Sequence, residues 1–212
     1  MMRSTHILTL PLATLFVSSL LSACTTPPVE HLYRLDYPLA STTQAEPQYE
    51  LVIATVKVPE AINRPQLVIQ KSATESLVTD EQRWIAPLDE QLTLSLMAHL
   101  RTNLPDAWLS SDTGISAGIA TNPSSPLPRY LAKVQIDQLL INSGSQLTLE
   151  ASWVVLDHNR KLLKREHNIF TVRLNGSAYE AVAPAMSEAA RQLAEQVGTS
   201  VQGVRKTPAT KP

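Results

Sequence analysis

The serine at position 116 is the first residue that could do chemistry, because Gly114-Ile115-Ser116-Ala117-Gly118 fits the G-x-S-x-G pattern. That pattern makes a hydrolase when a strained strand-to-helix turn lifts the serine beside an oxyanion hole. Here it lies in a Ser-, Gly-, Pro- and Thr-rich stretch, Ser110 to Pro128, with no apolar strand before it and no helical pattern after it. A Ser116 envelope hydrolase is therefore the least favoured reading. The histidines after His6, namely His31, His99, His158 and His167, include no i, i+4 pair and none beside a cysteine, so no zinc spacing exists. His167 adjoins Glu166, but neighbours along a strand point to opposite faces. Six glycines in the whole chain leave little material for a phosphate-binding loop. No metal and no catalytic set is expected, and a binding or assembly role is expected in place of an enzyme.

Cys24 is the only thiol. A short basic start, Arg3 and His6, precedes an apolar run from Ile7 to Leu21, and small residues then lead to Leu21-Ser22-Ala23-Cys24. About 15 apolar residues fall short of the roughly 20 that span a bilayer, so residues 1–23 read as a secretory signal. An ordinary signal ending near a cysteine, or a membrane anchor, are the alternatives. The Leu-Ser-Ala-Cys ending resembles the bacterial lipobox. That resemblance implies removal of residues 1–23 and lipidation of Cys24, with an S-diacylglycerol and an N-acyl chain as the only covalent groups and no other cofactor. A single cysteine also means no internal disulfide, although the compartment is oxidising. Thr25 stands where an Asp would retain an enteric lipoprotein at the inner membrane, so the resemblance implies the periplasmic face of the outer membrane.

Loss of residues 1–23 would leave 189, enough for one domain with a real core. The 18 Lys+Arg less Arg3 against 19 Asp+Glu give that chain a net charge of −2. No basic field exists to attract nucleic acid, and Arg205, Lys206 and Lys211 read as a solvated end.

The elements that must position any site follow from periodicity. Residues 24–31 read as a lipidated tether, 32–203 as the folded domain and 204–212 as a flexible tail. Strands are expected at Leu32 to Tyr37, Leu51 to Val58, Gln66 to Gln70 and Ser76 to Thr79, and another starting near Trp108-Leu109. Pro87 suits a helix start, Asp89 and Glu90 suit its positive end, and Leu88, Leu92, Leu96, Leu100 and Leu104 form one apolar stripe that Pro105 stops. Tyr130 to Ile141, Gln146 to Leu156 and Leu162 to Leu174 alternate as an antiparallel meander with one wet face. A last helix opens with a Ser177–Glu180 capping box. It carries the stripe Tyr179, Val182, Met186, Ala190, Leu193, Val197 and Val201, contains Pro184 and is expected to end at Gly203. The expected fold is α+β: a mostly antiparallel sheet with two amphipathic helices packed on one face, in a single domain.

Between these elements lies a distinctive series: Val58-Pro59, Asn63-Arg64-Pro65-Gln66-Leu67-Val68, Arg83-Trp84 and Pro87-Leu88. With Tyr33-Arg34-Leu35 after a lipobox, it resembles the ABC-type transport auxiliary lipoproteins of the PqiC (YmbA) type, although Ala61-Ile62-Asn63 stands where that family has an aromatic or Leu pair. The resemblance implies a non-catalytic docking subunit of an MCE-type intermembrane lipid transport system that maintains envelope integrity. Its implied partners are an MCE-domain tunnel protein and an inner-membrane permease, and it is implied to form a homo-oligomer. On their own chemistry, Pro59 and Pro65 fix the loop ends. Arg64 and Arg83 suit charge-assisted bonds with backbone carbonyls or carboxylates, and Trp84 suits either a core or an interface. A loop-fixing network and a partner-facing surface both remain open for Pro59, Arg64, Pro65, Gln66, Arg83 and Trp84. The alternative function is a periplasmic lipid carrier, which would need its own enclosed apolar cavity.

Overall fold

A computed structural model describes residues 28–39, 45–112, 126–142, 144–176 and 179–206. The expected signal peptide, Cys24, Ser116 and the Ser177 half of the capping box lie outside them. Eight strands form one sheet: β1 (His31–Tyr33), β2 (Tyr49–Ile53), β3 (Gln66–Gln70), β4 (Ser76–Trp84), β5 (Ala107–Ser111), β6 (Arg129–Asn142), β7 (Gln146–Asp157) and β8 (Leu162–Arg173). Among the described residues two helices, α1 (Leu88–Asn103) and α2 (Val182–Lys206), pack on it, with a short 3-10 turn at Tyr179–Ala181 before α2.

The sheet is mixed, which corrects the expectation that it is mostly antiparallel. Along the order β1-β4-β3-β6-β2-β5, only β3–β4 is antiparallel and the other four pairings are parallel. The long strand β6 organises it. On one side β6 pairs antiparallel with β7, which pairs antiparallel with β8, as expected of alternating strands joined by short turns. On its other side its start takes β2 and its end, Asn142, takes β3. Parallel neighbours need a long crossover, and α1 lies in the one that joins β2 to β5. Burial carries the same signature: four of the five residues of β2 are buried, including the charged Glu50, as in a strand covered on both faces.

One contiguous core lies between sheet and helices. It takes Ala132, Val134 and Ile136 from β6, Leu147, Leu149, Ala151, Trp153 and Val155 from β7, and Phe170 from β8. Onto these side chains α1 lays Leu88, Leu92, Leu96 and Leu100, and α2 lays Val182, Met186, Ala190, Leu193, Val197 and Val201. Both helices thus share the inner face, while Lys133, Gln135 and Asp137 of β6 stay exposed on the outer one. The helices approach closely at Gly198, where an added Cβ would stand 3.4 Å from Leu100 Cδ2. Pro184 is the third residue of α2, inside the first turn, where its missing donor is tolerated.

Gly203 does not end α2. The helix runs on to Lys206 because its last turn is pinned: Arg205 Nη1 bonds Asp106 Oδ2 at 2.9 Å, and its guanidinium lies 3.7 Å from the Tyr49 ring centroid. Strand boundaries also move. β1 stops at Tyr33 and β2 at Ile53. β4 runs on to Trp84, past an irregularity at residues 79–81, because Gln82, Arg83 and Trp84 pair with β1 and Arg83 pairs with Gln66 of β3.

Candidate functional site

The residues of the V-P, R-P-Q and R-W series come together at one corner of the sheet, where β1, β4 and β3 lie side by side. Pro59 opens a turn, its carbonyl accepting the Ile62 and Asn63 N–H groups at 3.0 Å each. Asn63 then reaches the helix start, its Oδ1 accepting the Asp89 N–H at 3.2 Å. This satisfies one of the unpaired donors of α1, for which Pro87 offers no side-chain cap. The Pro65 carbonyl accepts the Trp84 N–H at 2.6 Å, and Gln66 pairs with Arg83 in the β3–β4 ladder.

The side chains divide by face. Trp84 points inward and is 4% exposed, within the core cluster. On the outer face, Arg83 Nη1 bonds Glu30 Oε1 at 2.9 Å, and Arg64 Nε bonds Gln66 Oε1 at 3.4 Å. β1 locks the corner to the start of the described chain: Tyr33 Oη donates to Gln82 Oε1 at 2.6 Å, and the Tyr33 carbonyl accepts the Ile85 N–H at 2.8 Å. Gln91 of α1 extends the lock. Its Oε1 accepts the Leu35 N–H at 3.0 Å and its Nε2 donates to the Ala86 carbonyl at 2.9 Å. The candidate set drawn from sequence lacks Glu30, Tyr33, Asn63, Gln82 and Gln91, because their partners lie far along the chain; only Tyr33 and Asn63 carry a local signal, as members of the series that bears the resemblance.

Elsewhere several polar groups are engaged with each other. On the outer face a solvent-open groove of about 790 Å³ runs past Lys57, Lys133, Asp137, Ser152 and His167. There the Asp137 carboxylate accepts both Ser152 Oγ and Gln135 Nε2, and His167 Nε2 lies 2.8 Å from Glu150 Oε1. His99, between the helices, is held below the ordinary imidazole pKa, chiefly by burial and then by the Arg191 charge. Among the described residues no group of three or more His, Cys, Asp or Glu is placed to hold a metal ion, and no helix is long and apolar enough to cross a membrane.

Apart from Glu30, His31 and Leu32, this corner lies within the segment, residues 33–198, that matches the family model of the ABC-type transport auxiliary lipoprotein component. The chain belongs to that family. The auxiliary lipoprotein is 25% identical over 150 residues to the intermembrane transport lipoprotein PqiC of Escherichia coli (strain K12), covering 69% of this chain and 74% of that protein. PqiC of Shigella flexneri gives the same figures. The fold of the auxiliary lipoprotein is also that of a Xanthomonas campestris protein of known crystal structure, with a TM-score of 0.63, 16% identity, and coverage of 84% of this chain and 100% of that one. A second crystal structure, of an uncharacterized protein, aligns with a TM-score of 0.58 at 17% identity, covering 84% of this chain and 99% of that one.

Proposed function

We propose that this auxiliary lipoprotein is a non-catalytic docking subunit of an MCE-type intermembrane lipid transport system. Acylated Cys24 holds it at the periplasmic face of the outer membrane, with residues 24–31 as tether and 32–203 as the working domain. The observation that carries the reading is the family match over residues 33–198 together with the relatedness to PqiC, named as an intermembrane transport lipoprotein. Its partners are an MCE-domain tunnel protein and the permease of the same system, and it works as a homo-oligomer, since a closed symmetric assembly can cap a tube. Docking is favoured over carrying lipid by the packing between sheet and helices, a continuous cluster of buried side chains.

The test is co-isolation. The tagged protein, extracted from membranes after labelling with a palmitate analogue, is expected to carry the label and to bring down an MCE-domain protein. Cys24→Ala is expected to lose the label. Retained label in that variant, or the absence of any MCE-domain protein from the parent's isolate, contradicts the proposal.

A further inference from the structure

We infer that the outer face of the β1–β4–β3 corner is a membrane-contact surface, seating the domain on phospholipid headgroups beside its own anchor; this rests on acylation of Cys24. The ladder carries the geometry. Leu32 pairs with Arg83, and Arg83 with Gln66, so these three side chains share the face opposite buried Trp84 and Leu67. On that side of the chain Leu32 is 57% exposed and Ile85, just past the end of β4, is 59% exposed. Val29, leading into β1, is 71% exposed. Arg83 and Arg64 flank this apolar centre, held by Glu30 and Gln66. Guanidinium donors around exposed aliphatic side chains match the phosphates and the acyl boundary of a bilayer surface.

Chain length selects the bilayer as the occupant. Cys24 stands five residues before Val29 and seven before His31. At about 3.3–3.6 Å per residue, an anchor at Cys24 keeps β1 within about 25 Å of the acyl chains even when the tether is fully extended. Leu162, Leu163 and Ile169, the exposed apolar residues of β8, lie across the sheet beyond β6 and β7 and are under no such constraint.

The full chain, expressed in a Gram-negative host and purified from its membranes, is placed in liposomes of phosphatidylethanolamine and phosphatidylglycerol for hydrogen–deuterium exchange. Peptides covering residues 28–34 and 82–86 are expected to exchange about fivefold or more slowly than in a Cys24→Ser protein mixed with the same liposomes. Leu32→Glu with Ile85→Glu, anchor intact, is expected to abolish that slowing with the melting temperature kept within about 2 °C. Exchange unaffected by anchoring overturns the inference. So does slowing of the same peptides without liposomes as protein concentration rises, which assigns the face to a second copy. Intact mass reports acylation of Cys24 separately. If acyl chains are missing, the underlying reading fails, and coupling the Cys24 thiol to a maleimide-bearing phospholipid in the same liposomes tests the surface on its own.

Discussion

At Glu188 the surface of α2 carries a contact whose strength depends on pH. Its carboxylate accepts Arg191 Nη2 and Nε at 2.7 Å each and Gln192 Nε2 at 2.8 Å, while Arg191 also bonds Glu195. The bonds from Arg191, then that from Gln192, hold the Glu188 carboxyl at about 2, down from 4.5. A carboxyl lowered on folding stabilises the native state above its unfolded pKa, and that contribution fades as pH falls from about 4.5 to about 2. The pair is part-exposed, so water screens it. Glu188→Gln is expected to lower the melting temperature at pH 6 by at most about 4 °C. The gap to the parent should shrink across that acid window. A gap that is constant from neutral pH to pH 2 would contradict the assignment. Glu50 differs from Glu188 in burial: it is 5% exposed and held by Arg129 Nε at 2.7 Å, so its partner compensates a charge taken out of water.

The helices were the most legible elements because their stripes repeat at the helical period. Leu88, Leu92, Leu96, Leu100 and Leu104 are each 0–2% exposed, and Met186, Leu193, Val197 and Val201 likewise. Leu193→Asp places an unpaired charge in that core and is expected to cost about 3–5 kcal/mol of stability, read by chemical denaturation. Gln196→Asp, on the exposed face, should change it by about 0.5 kcal/mol or less. Equal midpoints for Leu193→Asp and the parent would refute the packing of α2. The strands were legible in part. Alternation in β6, β7 and β8 marked which side chains face inward, and the hairpin turns between them fixed antiparallel pairing. Alternation carries no information about the direction of a distant partner. The short strands β1, β2, β3 and β5 therefore gave no sign that they pair parallel with β4, β5 and β6. β4 reads as too short from sequence because its polar and charged residues Asp80 to Arg83 resemble a loop. Of the candidate site, the series from Pro59 to Trp84 was visible as residue types, but its division into buried Trp84 and outward Arg64 and Arg83 needed the ladder. The end of α2 departs from its sequence signal for a related reason: Gly203 is a local stop signal, whereas Asp106 and Tyr49, which hold Arg205, lie about a hundred or more residues away.

As a whole molecule, the domain has two dissimilar flanks. One is the corner where β1 joins the tether side of the chain to β4, with its apolar and guanidinium outer face. The other is β8, a 12-residue strand that among the described residues pairs only with β7, so that its outer edge can accept another strand. A domain held at the membrane by its first flank leaves the second, and the polar outer groove, available to copies of itself and to a protein reaching across the periplasm. The central claim is that the anchored domain receives an MCE-type tunnel protein. Its most direct test is binding of the purified periplasmic portion of that protein to the acylated lipoprotein in liposomes, measured by interferometry. The account predicts saturable binding with a Kd of about 10 μM or tighter. Absence of binding at concentrations about tenfold higher, with the lipoprotein folded and anchored, would contradict it.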